Sequence, residues 1–117
     1  MHELSIVQSI FSTLESELSE PEMQTVSVVE LKIGLLANVE PILLQNAFTA
    51  FQETHPHYSS ISLQTEMVEI RIHCPACDTD SIVENYVFQC SQCGAPSNRI
   101  LSGEELLIHR IHYEGVP

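Results

Sequence analysis

The sequence has few basic residues. Four lysines and arginines stand against 16 aspartates and glutamates, which gives a formal net charge of −12 with the six histidines neutral. Affinity for nucleic acid depends on neutralising phosphates with Lys and Arg, and anionic lipid surfaces attract the same side chains. The composition therefore argues against nucleic acid and membrane surfaces as partners. It favours cations or proteins with a basic face.

Long apolar runs and most aromatic residues are also missing. Aromatic residues make up 6% of the chain and tryptophan is absent, so aliphatic side chains must fill most of the core. No apolar run approaches the roughly 20 residues of a membrane-spanning helix. The first residues lack the basic and apolar regions of a secretory signal. We therefore expect a cytoplasmic protein, and its 117 residues suffice for one domain with a small appendage.

Two stretches have the apolar spacing of amphipathic helices. In the first, apolar residues recur at helical spacing from Leu4 to Leu18. The second follows Pro41, a residue well suited to the first turn of a helix. Between them, residues 28–35 alternate apolar and polar side chains, which predicts a half-buried strand.

The second half begins with a strand over residues 60–74 whose apolar parity switches near Met67–Val68. Such a switch indicates a bulge, or a strand that passes from one sheet environment to another. A closing strand is predicted in ELLIHRIHYEGVP. The order strand–helix–strand earlier in the chain predicts a parallel pair with a crossover connection.

All four cysteines lie in CPACDTDSIVENYVFQCSQC, at Cys74, Cys77, Cys90 and Cys93. Each Cys-x-x-Cys knuckle turns two thiolates toward one point, and two knuckles supply the ligands of a structural Zn(II) site. Disulfides are the first alternative, and a cytosolic setting disfavours them. A rubredoxin-type iron centre is the second, but such proteins are usually little more than their iron site. Four thiolates leave no open position, so the predicted zinc is structural and not catalytic.

These elements predict an α+β fold in which two helices pack on a small three-stranded sheet, with an inserted zinc-ribbon-like module. The predicted domains are an α+β domain of residues 1–72 and 99–117 and a zinc-binding domain of residues 73–98. His73 adjoins the first knuckle, where it is a candidate for a hydrogen bond to the zinc site.

The sequence begins MHELS, and its first three residues could hold a metal. The α-amine of Met1, with the backbone nitrogen and the imidazole of His2, can chelate one ion through small rings. Nitrogen-rich, square-planar ligation of this kind suits Ni(II) or Cu(II). Glu3 could add its amide nitrogen or its carboxylate. On local evidence alone, a polar surface histidine at a helix start is the commoner explanation.

Taken together, MHELS at the start and CPAC…CSQCG in the second half resemble the HypA/HybF family of hydrogenase nickel-incorporation proteins. The resemblance spans essentially the whole chain. It implies a nickel metallochaperone, not an enzyme, that carries Ni(II) as cargo. Its implied partners are a HypB-type GTPase, the large subunit of [NiFe] hydrogenase and, in some organisms, urease maturation proteins. The implied nickel ligand is His2, with Met1 and Glu3 adjoining, and the four cysteines hold zinc.

Some relatives carry histidines just after each cysteine pair, where this chain has Asp78 and Gly94. This departure argues against pH-dependent coupling of the zinc and nickel sites. The alternative function is a zinc-ribbon adaptor that binds a protein partner and carries no transferable metal. The sequence leaves open whether the protein is a monomer or a homodimer.

Overall fold

The computed structural model describes residues 3–114, which form two compact units. We call residues 3–31, 39–66 and 107–114 the helical unit, and residues 32–38 and 67–106 the cysteine unit. The predicted domain limits, residues 1–72 with 99–117 and residues 73–98, stay a prediction. None of the helices in the described part of the chain is long and apolar enough to cross a membrane.

Residues 3–114 form three α-helices and six strands. They are α1 (Glu3–Glu17), α2 (Glu20–Met23), β1 (Val28–Gly34), α3 (Pro41–Thr54), β2 (Ser62–Val68), β3 (Arg71–Cys74), β4 (Thr79–Ile82), β5 (Ile100–Ser102) and β6 (Leu106–His112), with a 3-10 turn at Pro56–Tyr58. The strands form two three-stranded sheets, ordered β2-β1-β6 and β4-β3-β5. The predicted α+β class is therefore confirmed.

Two backbone hydrogen bonds fix the directions of the strands in the first sheet. The Ser62 N–H donates to the Ser27 carbonyl at 2.8 Å, and the Ser27 N–H donates to the His112 carbonyl at 2.9 Å. The start of β1 therefore lies beside the start of β2 and the end of β6. Strands β1 and β2 are parallel, as predicted, and β6 is antiparallel to β1.

The core of the helical unit is built around Phe11 on α1. Its ring stacks on those of Phe48, Phe51 and Tyr58, with centroids 5.4, 4.5 and 4.8 Å away. The predicted apolar stripes of α1 and α3 are largely buried, as amphipathic helices on a sheet require. Leu4 is an exception and is 44% exposed, because it lies in the first turn of α1, before the buried stretch begins.

The switch of apolar parity near Met67–Val68 marks a change of sheet. Strand β2 ends at Val68 in the first sheet, and β3 begins at Arg71 in the second. Ile70 and Ile72 then contribute to the hydrophobic core of the cysteine unit. The second of the two predicted explanations, a strand that passes into another sheet, is confirmed.

The buried phenol of Tyr58 gives the helical unit an alkaline limit of stability. Its hydroxyl donates to Glu15 Oε1 at 2.8 Å, and burial together with the nearby Glu15 carboxylate raises the pKa of Tyr58 from 10.0 to about 12. Because the folded pKa is the higher one, this stabilisation is complete below pH 10 and is lost as the pH rises toward 12. We expect the urea midpoint of unfolding to fall over this range, and the fall to be smaller in Tyr58→Phe.

The matched control is Tyr86→Phe, since Tyr86 is 61% exposed. This variant should keep the wild-type dependence on pH. An equal alkaline loss of stability in wild type and Tyr58→Phe would contradict the prediction.

Candidate metal centre

The four cysteine sulfurs converge on one point in the cysteine unit. Their Sγ atoms all lie within 4.8 Å of one another, with Cys74 3.6 Å from Cys93 and Cys77 3.5 Å from Cys90. Four sulfurs arranged tetrahedrally at the usual zinc–sulfur distance would be about 3.8 Å apart. Within residues 3–114 this is the only cluster of three or more potential metal-ligating side chains. The donor set and its spacing therefore fit a structural zinc ion.

Each knuckle is closed by a residue in the left-handed backbone region. The Asp78 N–H donates to the Cys74 carbonyl at 2.8 Å, and the Gly94 N–H donates to the Cys90 carbonyl at 2.9 Å. The φ angles of Asp78 and Gly94 are 57° and 76°. Glycine and aspartate tolerate this region better than most residues. The two positions that directly follow the cysteine pairs thus serve turn geometry in this chain.

Backbone amides favour the thiolate form of Cys90. Hydrogen bonds from the N–H groups of Cys93 and Gln92 are the main causes that lower the pKa of Cys90 to about 5. The Gln92 nitrogen lies 3.4 Å from Cys90 Sγ. Hydrogen bonds to a thiolate stabilise its charge, so this buried sulfur is prepared to bind a cation.

The pKa of Cys93 is shifted in the opposite direction, upward. The N–H of Ala95 acts to lower its pKa, but hydrogen bonds with the other three cysteine side chains outweigh this effect and raise the pKa of Cys93 to about 12. Crowded sulfurs resist full ionisation in the absence of a positive charge. A divalent cation at the centre supplies that charge, because a metal-coordinated thiol is deprotonated outright.

His73 contacts carboxylates and not sulfurs. Its Nδ1 lies 2.8 Å from Asp80 Oδ1, and its Nε2 lies 3.1 Å from Asp78 Oδ1. The prediction of a hydrogen bond from His73 to the cysteine ligands is therefore wrong. Instead, the ring links β4 to the residue that closes the first knuckle.

Two of the three predicted nickel ligands lie outside the described residues. Met1 and His2 precede the described part of the chain. Glu3 is half-buried and begins α1, where its carboxylate is near the positive end of the helix dipole. The assignment of nickel to Met1, His2 and Glu3 stays a prediction.

Sequence reasoning missed two hydroxyl groups beside the sulfurs. Thr79 Oγ1 lies 3.0 Å from Cys77 Sγ, and Ser81 Oγ lies 3.8 Å from Cys90 Sγ. Both residues are on β4, two positions apart, so alternation along the strand directs both side chains to one face. Knowledge of that strand would have revealed them.

Two solved structures share this fold. The solution structure of the Ni metallochaperone HypA from Helicobacter pylori has a TM-score of 0.65, and a solution structure described as HypA protein has a TM-score of 0.69. Each is 20% identical in sequence and covers 97% of both chains. At this identity the likeness shows the fold alone.

Sequence comparison gives the family. The profile described as "Hydrogenase/urease nickel incorporation, metallochaperone, hypA" matches residues 1–113. Hydrogenase maturation factor HypA of Desulfitobacterium hafniense is 35% identical over 114 residues, covering 97% of this chain and 99% of that protein. Its namesake in Campylobacter jejuni is 33% identical over 111 residues, covering 95% and 97%. The chain therefore belongs to the HypA family of nickel metallochaperones for hydrogenase and urease maturation, which are maturation factors and not enzymes.

Proposed function

We propose that this protein binds Ni(II) through its N-terminal residues and delivers it, with a HypB-type GTPase, to the large subunit of [NiFe] hydrogenase. Supply of nickel to urease maturation proteins belongs to the same proposal. The family match carries the proposal, because residues 1–113 include both MHELS and all four cysteines. A cytoplasmic location, as monomer or homodimer, is the setting that we propose for this exchange.

The proposed nickel site combines the Met1 amine, the His2 backbone nitrogen and imidazole, and the amide or carboxylate of Glu3. Nitrogen donors of this kind suit Ni(II). Few ligands at a chain end allow an acceptor protein to displace them one at a time, which a delivery protein requires. The position of Glu3 supports this arrangement, since it is the first described residue of α1 and follows His2 directly in the sequence.

The proposed role of Zn(II) is structural. Its ligands are Cys74, Cys77, Cys90 and Cys93, and the convergence of their sulfurs within 4.8 Å supports this assignment. With four thiolates on one ion, no position is left for a substrate or for the nickel cargo.

The first test is a calorimetric nickel titration of untagged, zinc-loaded protein. We expect His2→Ala to lose about one equivalent of bound nickel while its zinc content and circular dichroism stay unchanged, because the imidazole is the main side-chain ligand. The matched control is His109→Ala, since His109 is an exposed histidine on β6. Equal nickel binding by wild type and His2→Ala would refute the N-terminal site.

Delivery needs a test in cells. In a strain that lacks its own HypA-family protein, wild type should restore hydrogenase activity and His2→Ala should not. A zinc-ribbon adaptor with no transferable metal predicts the opposite: His2→Ala restores activity, and only loss of the cysteines abolishes it. Coprecipitation of a HypB-type GTPase with the wild-type protein would support that partner.

A further inference from the structure

The hydroxyl groups around the four cysteines are distributed unequally. Thr79 Oγ1 is 3.0 Å from Cys77 Sγ and 3.6 Å from Cys90 Sγ, and Ser81 Oγ is 3.8 Å from Cys90 Sγ. Within residues 3–114, no hydroxyl lies at hydrogen-bonding distance from Cys74 or Cys93. Only the Cys77–Cys90 half of the site therefore receives hydroxyl donors.

The Ser81 hydroxyl donates its hydrogen bond to Cys90 Sγ. Its oxygen accepts hydrogen bonds from the Ser91 N–H at 3.0 Å and from the Ser91 hydroxyl at 3.1 Å. With both lone pairs engaged, the Ser81 hydroxyl is left to donate its own proton, and Cys90 Sγ is the acceptor within reach. Cys90 also accepts from the Gln92 N–H.

The Thr79 hydroxyl is then free to donate its hydrogen bond to Cys77 Sγ. A hydroxyl has one proton to donate, and Cys77 Sγ is 0.6 Å nearer to Thr79 Oγ1 than Cys90 Sγ is, at 3.0 against 3.6 Å. This donor matters because Cys77 is exposed while Cys90 is buried. A solvent-exposed metal thiolate is open to reagents in solution, so its hydrogen bonds influence how it reacts.

Cys93 is the matching exposed ligand of the second knuckle. Its donor is the backbone N–H of Ala95, without a hydroxyl. We infer that the Thr79 hydroxyl is a positioning group that restrains the Cys77 thiolate, so that Cys93 is the zinc ligand most open to electrophilic attack. This inference rests on the zinc assignment made under the proposed function, and it does not depend on nickel.

The chemistry of such an attack is simple. With iodoacetamide, a sulfur lone pair forms a bond to carbon, iodide leaves, and the thiolate becomes a neutral thioether. The Thr79 hydroxyl, 3.0 Å from Cys77 Sγ, holds that lone pair and slows the reaction at Cys77, and no hydroxyl among residues 3–114 does so at Cys93. A thioether binds zinc more weakly than a thiolate, so metal loss would begin at the second knuckle.

The test is alkylation of the zinc-loaded protein with a small amount of iodoacetamide at pH 7, followed by peptide mass spectrometry. In wild type, Cys93 should be modified about five times faster than Cys77, the effect expected of one hydrogen bond. Thr79→Val should bring the two rates close together, because it removes the hydroxyl and keeps the shape. Thr79→Ser keeps the hydroxyl and should restore the wild-type preference.

Alkylation of the wild-type protein alone can overturn the inference. If it holds one zinc and Cys77 is modified as fast as Cys93 or faster, then Thr79 does not protect Cys77. An unchanged preference in zinc-loaded Thr79→Val would overturn it as well. A wild-type protein that binds no zinc would instead refute the zinc assignment itself, and this inference with it. Zinc content, measured before alkylation, separates the two failures.

Discussion

Cys74→Ser is expected to abolish tight zinc binding and to unfold the cysteine unit, while the helical unit keeps its secondary structure. Cys74 is fully buried at the end of β3, and its sulfur is 3.6 Å from that of Cys93. A serine hydroxyl at this position is a poor zinc ligand, since structural zinc sites use thiolates and imidazoles. Three remaining thiolates would hold the ion more weakly and would leave a coordination position open to water.

The cysteine unit has little else to hold it together. Its hydrophobic core consists of Ile70, Ile72 and Val83, with Leu36, Phe88 and Ile100 partly buried around them. So few side chains rarely stabilise a fold without a disulfide or a metal. Structural zinc contributes about 10–16 kcal/mol of apparent binding free energy in small modules, which exceeds what such a core supplies.

Nuclear magnetic resonance of the methyl groups can separate the two units. In Cys74→Ser, or in wild type stripped by a chelator, the signals of Ile72 and Val83 should lose dispersion, while those of Val7 and Leu14 stay dispersed. Zinc added back should restore the stripped wild type and not the variant. Native signals from Ile72 in zinc-free protein would show that the cysteine unit folds without metal.

Local patterns were sufficient to predict helices α1 and α3 and the longer strands, but not the four-residue helix α2, which contains Pro21. Helix α1 has apolar residues at helical spacing, and α3 begins at Pro41 as predicted. Both signals depend on neighbours within a few residues, so no knowledge of the tertiary fold was needed. The switch of parity near Met67–Val68 indicated either a bulge or a passage into another sheet, and the passage from β2 to β3 is the second of these.

Strands β4 and β5 could not be predicted in this way. They have four and three residues, and TDSI is largely polar. Each exists because it pairs with β3, with Thr79 opposite Cys74 and Ile100 opposite Ile72. That pairing depends on the closure of the cysteine cluster, which brings together segments distant in sequence.

The metal centre likewise contains residues that local sequence predicts and residues that only the fold brings to the site. The four cysteines were predictable because thiolates are zinc ligands whatever fold surrounds them. Thr79 and Ser81 are common polar residues, and they acquire a role at the sulfurs only through the position of β4. The partners of His73 follow from β4 too, since Asp80 pairs with His73 across the two strands.

Gly34→Ala should destabilise the cysteine unit by about 3 kcal/mol or more, the upper range for overpacking a rigid site. A Cβ added at Gly34 would lie 2.0 Å from the Gly103 carbonyl oxygen and 2.6 Å from the Glu104 nitrogen. Both are backbone atoms, so no side-chain rotation relieves the contact. The end of β1 and the segment between β5 and β6 would have to separate, which would weaken the 2.7 Å hydrogen bonds from the Gly34 N–H to the Glu105 carbonyl and from the Leu36 N–H to the Gly103 carbonyl.

Gly94→Ala is the matched control, because the same substitution there meets a different obstacle. No atom lies within 4 Å of an added Cβ at Gly94, but its φ of +76° disfavours any residue with a side chain. That strain costs about 1–2 kcal/mol, less than the clash at Gly34. Urea unfolding of the two zinc-loaded variants should therefore rank Gly34→Ala as clearly the less stable. If Gly34→Ala proved as stable as Gly94→Ala, the close approach of Gly34 to Gly103 would not be a constraint on the fold.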